Sequence, residues 1–333
     1  MLNRRAILGA LPFVATPLVA MPLVAIPGVV RAQEGGFEQF VADVMEQGRR
    51  AGISEATLRA AFAGVGPNAK VIENDRHQAE FTLTWPEYRA KVVPASRIQL
   101  AQQHYARQRS LLAAVQRRFG VEPTVVMGIW GIESAFGSNK GNYRLIEALA
   151  TLAWEGRRAS YFRKELLNAL KILDSGDVTP GRMTSGWAGA MGQPQFMPSS
   201  YLSYAVDFEG TGRRDIWDSV PDVLGSIANY LAKSGWRSGE PWGQAVSVPA
   251  SFSPAMAGRE NRHSLGAWME LGVRRPDGSA FGRTDVSGAL LLPDGIGVGE
   301  GFIVYSNFNA IRRYNPSDFY ALAVGLLGDS ALG

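Results

Sequence analysis

Val125-Val126-Met127-Gly128-Ile129-Trp130-Gly131-Ile132-Glu133-Ser134-Ala135-Phe136-Gly137 holds one carboxylate in an apolar run, with no other charge between Glu122 and Lys140. Glu122-Pro123-Thr124 before it reads as a helix start, because proline in a first turn removes an N–H that has no intrahelical partner. If the helix ends near Gly137, Glu133 lies in its last turn. Burial disfavours the ionised carboxyl, and the negative end of the helix dipole pushes the same way. A carboxylic acid held neutral in this manner can donate a proton near pH 7. The competing reading is a structural glutamate whose charge meets an arginine from another segment. The stretch alone leaves both readings open.

Outward from this stretch the pattern is mostly helical. Phe37, Phe40, Val41 and Val44 keep the i, i+3, i+4, i+7 spacing, and Ser54 can cap a helix carrying Leu58 and Phe62 that Gly64 ends. Further helices are predicted over 97–119, 145–154, 161–174, 220–233 and 317–327. From 236 to 304 the character changes to Gly, Pro and short apolar runs, such as Ala245-Val246-Ser247-Val248 and Ala289-Leu290-Leu291-Leu292. These predict a small strand-containing lobe, so the fold class is mainly α (α+β).

Residues 1–32 read as a Tat-type signal peptide, and 33–333 as the catalytic region. Asn3-Arg4-Arg5-Ala6-Ile7-Leu8 precedes an acid-free apolar stretch ending at Val30-Arg31-Ala32. Pro12, Pro17, Pro22 and Pro27 would break a spanning helix, which favours cleavage over anchoring. The chain has 34 basic and 30 acidic residues; Arg4, Arg5 and Arg31 belong to the leader, which leaves 31 against 30. The isoelectric point of about 9.4 is therefore weak evidence for a polyanionic partner, and nucleic acid is not expected. With no cysteine there is no disulfide framework and no lipidated N-terminal Cys, so a soluble periplasmic product is expected.

The second informative stretch is Gly186-Trp187-Ala188-Gly189-Ala190-Met191-Gly192-Gln193-Pro194-Gln195-Phe196-Met197-Pro198-Ser199-Ser200-Tyr201. Amides from Gln193 and Gln195 beside flat aromatic faces suit sugar hydroxyls, acetamido groups and pyranose rings; close packing of loop on helix around the small residues is the other reading. Together the two stretches closely resemble the membrane-bound lytic murein transglycosylase B family. Arg157-Arg158-Ala159-Ser160-Tyr161-Phe162, Tyr204-Ala205-Val206-Asp207-Phe208, Asn229-Tyr230 and Asn307-Phe308-Asn309-Ala310-Ile311-Arg312-Arg313-Tyr314-Asn315 extend the resemblance in the family's order.

The resemblance implies a lysozyme-like helical core that cuts the β-1,4 bond between N-acetylmuramic acid and N-acetylglucosamine in the glycan strands of peptidoglycan. It implies Glu133 as general acid and then base, producing 1,6-anhydromuramic acid ends. It also implies that Gln195, Phe196, Tyr230, Asn309 and Tyr314 line the groove, with Arg157, Arg158 and Tyr161 on its wall. Guanidinium pairs bidentately with carboxylate, which suits the stem peptides. Gly186 stands where the family often has Ser, with Ser185 one place earlier, and the chain is expected to lack an appended wall-binding module.

Asp207, Glu209, Thr211, Asp215 and Asp218 take ligand positions of an EF-hand-like loop, a site for structural calcium in some relatives. Thr211 and the short Asp218 weaken the copy, and a metal-free turn is the alternative. The chemistry itself needs no cofactor. A monomer is expected, with other cell-wall enzymes as partners. A water-using muramidase on the same scaffold and a non-catalytic peptidoglycan-binding protein are the remaining readings, and intact Glu133 argues against the second of these.

Overall fold

Ser54 accepts the Thr57 amide, and Gly120 at φ 69° ends the long fifth helix, so local chemistry divides the N-terminal half where the pattern predicts. The computed structural model describes residues 36–77, 83–155, 157–295 and 300–333; the signal-peptide expectation lies outside them. In chain order the first helices are α1 (Phe37–Arg50), α2 (Glu55–Phe62), α3 (Ala69–Arg76), α4 (Trp85–Val92), α5 (Ala95–Phe119) and α6 (Pro123–Ser134). A two-residue antiparallel ribbon of β1 (Tyr143–Arg144) and β2 (Thr184–Ser185) brackets α7 (Leu145–Glu155) and α8 (Ala159–Asp174). Then come α9 (Pro198–Tyr204) and α10 (Val220–Lys233). After the strand lobe, α12 (Ser306–Tyr314) and α13 (Asp318–Ser330) return to the helical body. Helices α3, α4, α9 and α12 have no counterpart in the sequence expectations, nor does the short helix inside the strand lobe.

Two apolar cores form the helical body. One gathers α1, α2, α7, α8 and the 183–217 segment; the other gathers α4, α5, α6, α10 and α13. Fully burying a Val, Leu or Ile side chain stabilises by roughly 1.5–3 kcal/mol, so each core outweighs any single polar contact in it. Helix α6 is buried along nearly its whole length and lies closest to α13. Gly128 permits that approach, since a Cβ there would sit 2.1 Å from the Val324 carbonyl oxygen. Tyr314 touches both cores and marks the seam between them.

The lobe is an antiparallel sheet of order β3-β6-β5-β4, formed by β3 (Gly243–Val246), β4 (Arg262–Ser264), β5 (Ser287–Leu291) and β6 (Gly301–Val304), with α11 (Leu265–Glu270) between β4 and β5. Its own core centres on Trp268, whose indole donates to the Gly288 carbonyl at 3.0 Å. The first strand begins two residues before the predicted apolar run. Gly243 to Val246 pair with β6, whereas Ser247 exchanges its backbone bonds with Arg274 instead. Partner availability, not side-chain apolarity, sets that boundary.

Candidate active site

Helix α6 ends one residue after Glu133, in a chain reversal of three consecutive left-handed residues: Ala135 (φ 48°), Phe136 (φ 59°) and Gly137 (φ 85°). Left-handed backbone is unfavourable for Ala and Phe, so the surroundings must hold it. The Ser134 hydroxyl accepts the Gly137 amide, the Phe136 amide reaches the Trp130 carbonyl, and the Phe136 ring stacks on His104 with centroids 4.9 Å apart. Only glycine fits at 137, because a Cβ would lie 2.4 Å from Gln193 Oε1. Glu133 in consequence projects from a fixed helix end.

The residue as a whole is half-buried, and protein crowds its carboxyl closely enough to disfavour the charged form. Burial pushes its pKa up to about 8, against the opposing pull of the Tyr320 hydroxyl, which donates to Oε1 at 2.6 Å. That bond leaves Oε2 for a substrate. Burial and the nearby Glu133 charge together raise the hydroxyl pKa of Tyr320, Tyr314 and Tyr88, so these groups stay protonated donors around it. Tyr320 and Tyr88 are absent from the sequence-based site. Their only signal is position: Tyr320 lies in the predicted last helix, 187 residues from Glu133.

The residues implied by resemblance divide into three groups. Tyr230 and Tyr314 meet with ring centroids 4.6 Å apart, and both rest on Phe196, at 5.7 and 5.8 Å. Phe196 is fully buried and supports the two tyrosines from beneath. Burial raises Tyr230 to about 12; its hydroxyl donates to the Arg313 carbonyl, and that of Tyr314 donates to the Pro194 carbonyl at 2.7 Å. Gln195 adopts φ 52°; its amide nitrogen donates to the Gly192 carbonyl at 2.7 Å, leaving a buried Oε1 without a partner. Asn309 stands exposed on α12.

Arg157, Arg158 and Tyr161 belong to a different environment. Both arginines converge on the buried carboxylate of Asp75 from α3, at 3.5 and 2.9 Å, and Arg158 covers the Phe162 ring. One buried carboxylate thus holds both guanidiniums, which the sequence concealed because Asp75 sits in a polar helix. Tyr161 is partly exposed, with its pKa raised to about 12 first by burial and then by Glu165. Gln193, read as a sugar-binding amide, is instead buried and used at both ends: it accepts from the Trp130 indole at 2.8 Å and donates to the Trp217 carbonyl at 2.9 Å. It ties the second motif to α6. Ser185 is buried with an unpartnered hydroxyl.

The calcium-like loop is tight but does not converge on a point. Among the described residues no group of three or more His, Cys, Asp and Glu side chains is placed to hold a metal. Asp207 accepts the amides of Gly210, Thr211 and Gly212, and Asp215 accepts those of Trp217 and Asp218. Asp218 faces two cations, Lys140 at 2.7 Å and Arg182, which also approaches Asp215 at 3.4 Å. Glu209 and Thr211 are exposed. As they stand, the five residues do not fit a calcium cage, because side-chain cations occupy the carboxylate that would close it.

Asp174 caps α2, accepting from the Ser54 hydroxyl at 2.7 Å and the Ser54 amide at 3.1 Å. Among the described residues no carboxylate perturbs the Glu133 carboxyl.

Comparison with known proteins bears on the fold and the family. A family model described as the transglycosylase SLT domain matches residues 36–329. The chain is 34% identical over 262 residues to membrane-bound lytic murein transglycosylase B of Escherichia coli K12, covering 74% of this chain and 67% of that one. It superposes on SltB3 from Pseudomonas aeruginosa, solved in complex with NAG-anhNAM-pentapeptide, with a TM-score of 0.86 and 45% identity over 90% of this chain and 80% of that one. It also superposes on the Escherichia coli lytic transglycosylase Slt35 in complex with calcium, with a TM-score of 0.74 and 30% identity over 92% of this chain and 98% of that one. The helical body with its small antiparallel sheet is thus the lysozyme-like lytic transglycosylase fold, and the chain belongs to the transglycosylase SLT domain family.

Proposed function

We propose that Glu133 is the single acid, and then the base, with which this peptidoglycan lytic transglycosylase cuts its substrate. One observation carries the reading: a carboxyl with pKa raised to about 8, held by Tyr320 through one oxygen, with no second carboxylate among the described residues acting on it. Glycosidases that use water need two carboxylates flanking the bond. A lone one suffices when the nucleophile belongs to the substrate. Glu133 Oε2 would give its proton to the leaving N-acetylglucosamine O4 as the bond from muramic acid C1 breaks. The substrate's acetamido group shields the cation at C1, as in substrate-assisted hydrolases. The new carboxylate, stabilised by the Tyr320 hydroxyl, then takes the proton of the muramic acid C6 hydroxyl as O6 bonds to C1. The acid is regenerated and a 1,6-anhydro end is left, the sugar form seen bound to SltB3.

Tyr230 and Tyr314, seated on Phe196, form with Gln195 the floor on which the glycan is read, and Asn309 contributes from the exposed side of α12. Arg157 and Arg158 act by holding α3 to α8. Lytic transglycosylases need no cofactor; in this chain calcium has to displace Lys140 and Arg182 from Asp218, so any binding there is weak and structural. Relatives act on peptidoglycan, which places the work outside the cytoplasm. No helix among the described residues is long and apolar enough to cross a membrane. We assign 1–32 to Tat-type export to the periplasm, with 33–333 acting as a monomer beside other wall enzymes.

Product mass tests the reading. Each cut should leave a muramic end lighter by one water than a hydrolase leaves, and one that borohydride does not reduce. Mostly hydrated, reducible ends would instead establish a muramidase.

A further inference from the structure

His104 projects from α5 against the chain reversal that follows Glu133. Its ring stacks on Phe136, with centroids 4.9 Å apart and planes 16° from parallel, and meets Trp130 edge-on at 5.0 Å. Trp130 and Phe136 close the triangle at 5.3 Å, and the Trp130 indole is itself anchored on Gln193 at 2.8 Å. Phe136 also folds back onto α6. A Cβ at Gly131 would lie 2.6 Å from the tip of its ring and 2.7 Å from Leu327 of α13. The Phe136 ring is therefore gripped between α5 and α6.

His104 grips as an uncharged plate. Its Nδ1 is buried with no hydrogen-bond partner among the described residues, and burial, then Arg107 further along α5, holds its pKa below the usual imidazole value. Protonation would add a buried N–H without an acceptor. The grip matters because Ala135 and Phe136 hold left-handed backbone, which is costly for residues with a Cβ. With the Phe136 ring released, right-handed backbone is the cheaper course. The bond from the Gly137 amide to the Ser134 hydroxyl, and with it the fixed helix end below Glu133, would be lost.

We propose that His104 is a positioning residue for cleavage: its ring clamps Phe136 and so holds the left-handed reversal that aims the Glu133 carboxyl at Tyr320 and the scissile bond. The inference rests on the reading of Glu133 as the cutting residue. The groups facing Glu133 are the hydroxyls of Tyr320, Tyr314, Tyr88 and Tyr230, all raised in pKa and uncharged at neutral pH. A loosened reversal admits water to this setting, and the Glu133 pKa then falls from about 8 toward the ordinary carboxylate range.

Kinetics of three variants decide it. His104→Ala should lower kcat on soluble glycan strands about tenfold and move the alkaline limb of kcat/KM to lower pH. Its affinity for a tetrasaccharide of alternating N-acetylglucosamine and N-acetylmuramic acid, measured by calorimetry in the Glu133→Gln background, should stay unchanged. His104→Phe restores a flat ring to the stack and should restore both kcat and the limb. Adding Ala135→Gly to His104→Ala removes the Cβ from the first left-handed residue and should return part of the lost kcat. Wild-type kcat in His104→Ala, or a loss that neither Phe nor Gly repairs, would overturn the proposal. His104→Gln, which keeps a long side chain without a ring, replaces His104→Ala if the latter does not fold. A Glu133→Gln protein that still cuts would refute the reading of Glu133, whereas full kcat in His104→Ala beside an inactive Glu133→Gln refutes the role of His104 alone.

Discussion

The end of α6 and the 207–218 loop both carry carboxylates beside left-handed turns, yet the two regions treat them in opposite ways. Glu133 is desolvated by the protein around it and meets one hydroxyl donor, and its pKa rises to about 8. In the loop, Asp207 and Asp218 are held below the usual carboxylate range, Asp207 chiefly by backbone amides and Asp218 by Lys140 and Arg182. Surroundings, not residue type, decide whether a carboxyl works as an acid or as a brace.

The largest effect expected from breaking this contrast is in Glu133→Gln. The amide cannot pass a proton either way, so turnover should fall by about 10³-fold or more while glycan binding persists. Release of anhydro-muropeptides measures it, and retained activity would end the single-acid mechanism.

The same variant sharpens the contrast through stability. The folded-state pKa of Glu133 lies above its unfolded value of 4.5, so the native protein binds the proton more tightly. Its contribution is greatest below pH 4.5 and is lost progressively as pH rises to about 8. The slope is at most about 1.4 kcal/mol per pH unit. Glu133→Gln should remove that slope, so its melting temperature should exceed wild type by more at pH 8 than at pH 5; parallel curves would contradict the raised pKa.

Tyr320→Phe is the next smaller change. Losing the hydroxyl removes the one contact that lowers the Glu133 pKa, so the alkaline fall of kcat/KM should move to higher pH. Turnover should drop by about tenfold, because a hydrogen bond to a charged group contributes ~1.5 kcal/mol or more. An unmoved pH profile would reduce Tyr320 to packing.

Calcium should do least. Adding it, or removing it with a chelator, should shift the wild-type melting temperature by no more than about a degree, since exposed ion pairs contribute about 0–1 kcal/mol and calcium must replace two of them. Arg182→Ala should enlarge the shift. A strong calcium response in the wild type would mean that the loop reorganises into a cage.

The helices with regular apolar spacing were legible because their signal is local: α1, α5, α7, α8, α10 and α13 appear within a few residues of expectation. The polar α3 and the short α4 were not, since tertiary contacts stabilise them: Asp75 of α3 meets Arg157 and Arg158, and Trp85 of α4 packs against Phe302 and Phe319. Among the implied site residues, Tyr230 and Tyr314 come together over Phe196, whereas the arginines of 157–158 serve a buried aspartate.

What the sequence by itself determined is the position of one uncharged-run carboxylate at a helix end, followed by a glycine turn, because helix start, length and stop depend on neighbouring residues. What only the tertiary structure decided is the partner of each charge. Tyr320 on Glu133, Asp75 on the arginines, and Lys140 and Arg182 on Asp218 are brought from 36 to 187 residues away. Contacts at such separation leave no periodicity in the chain; they exist only after two cores have folded and the helices that carry them have docked.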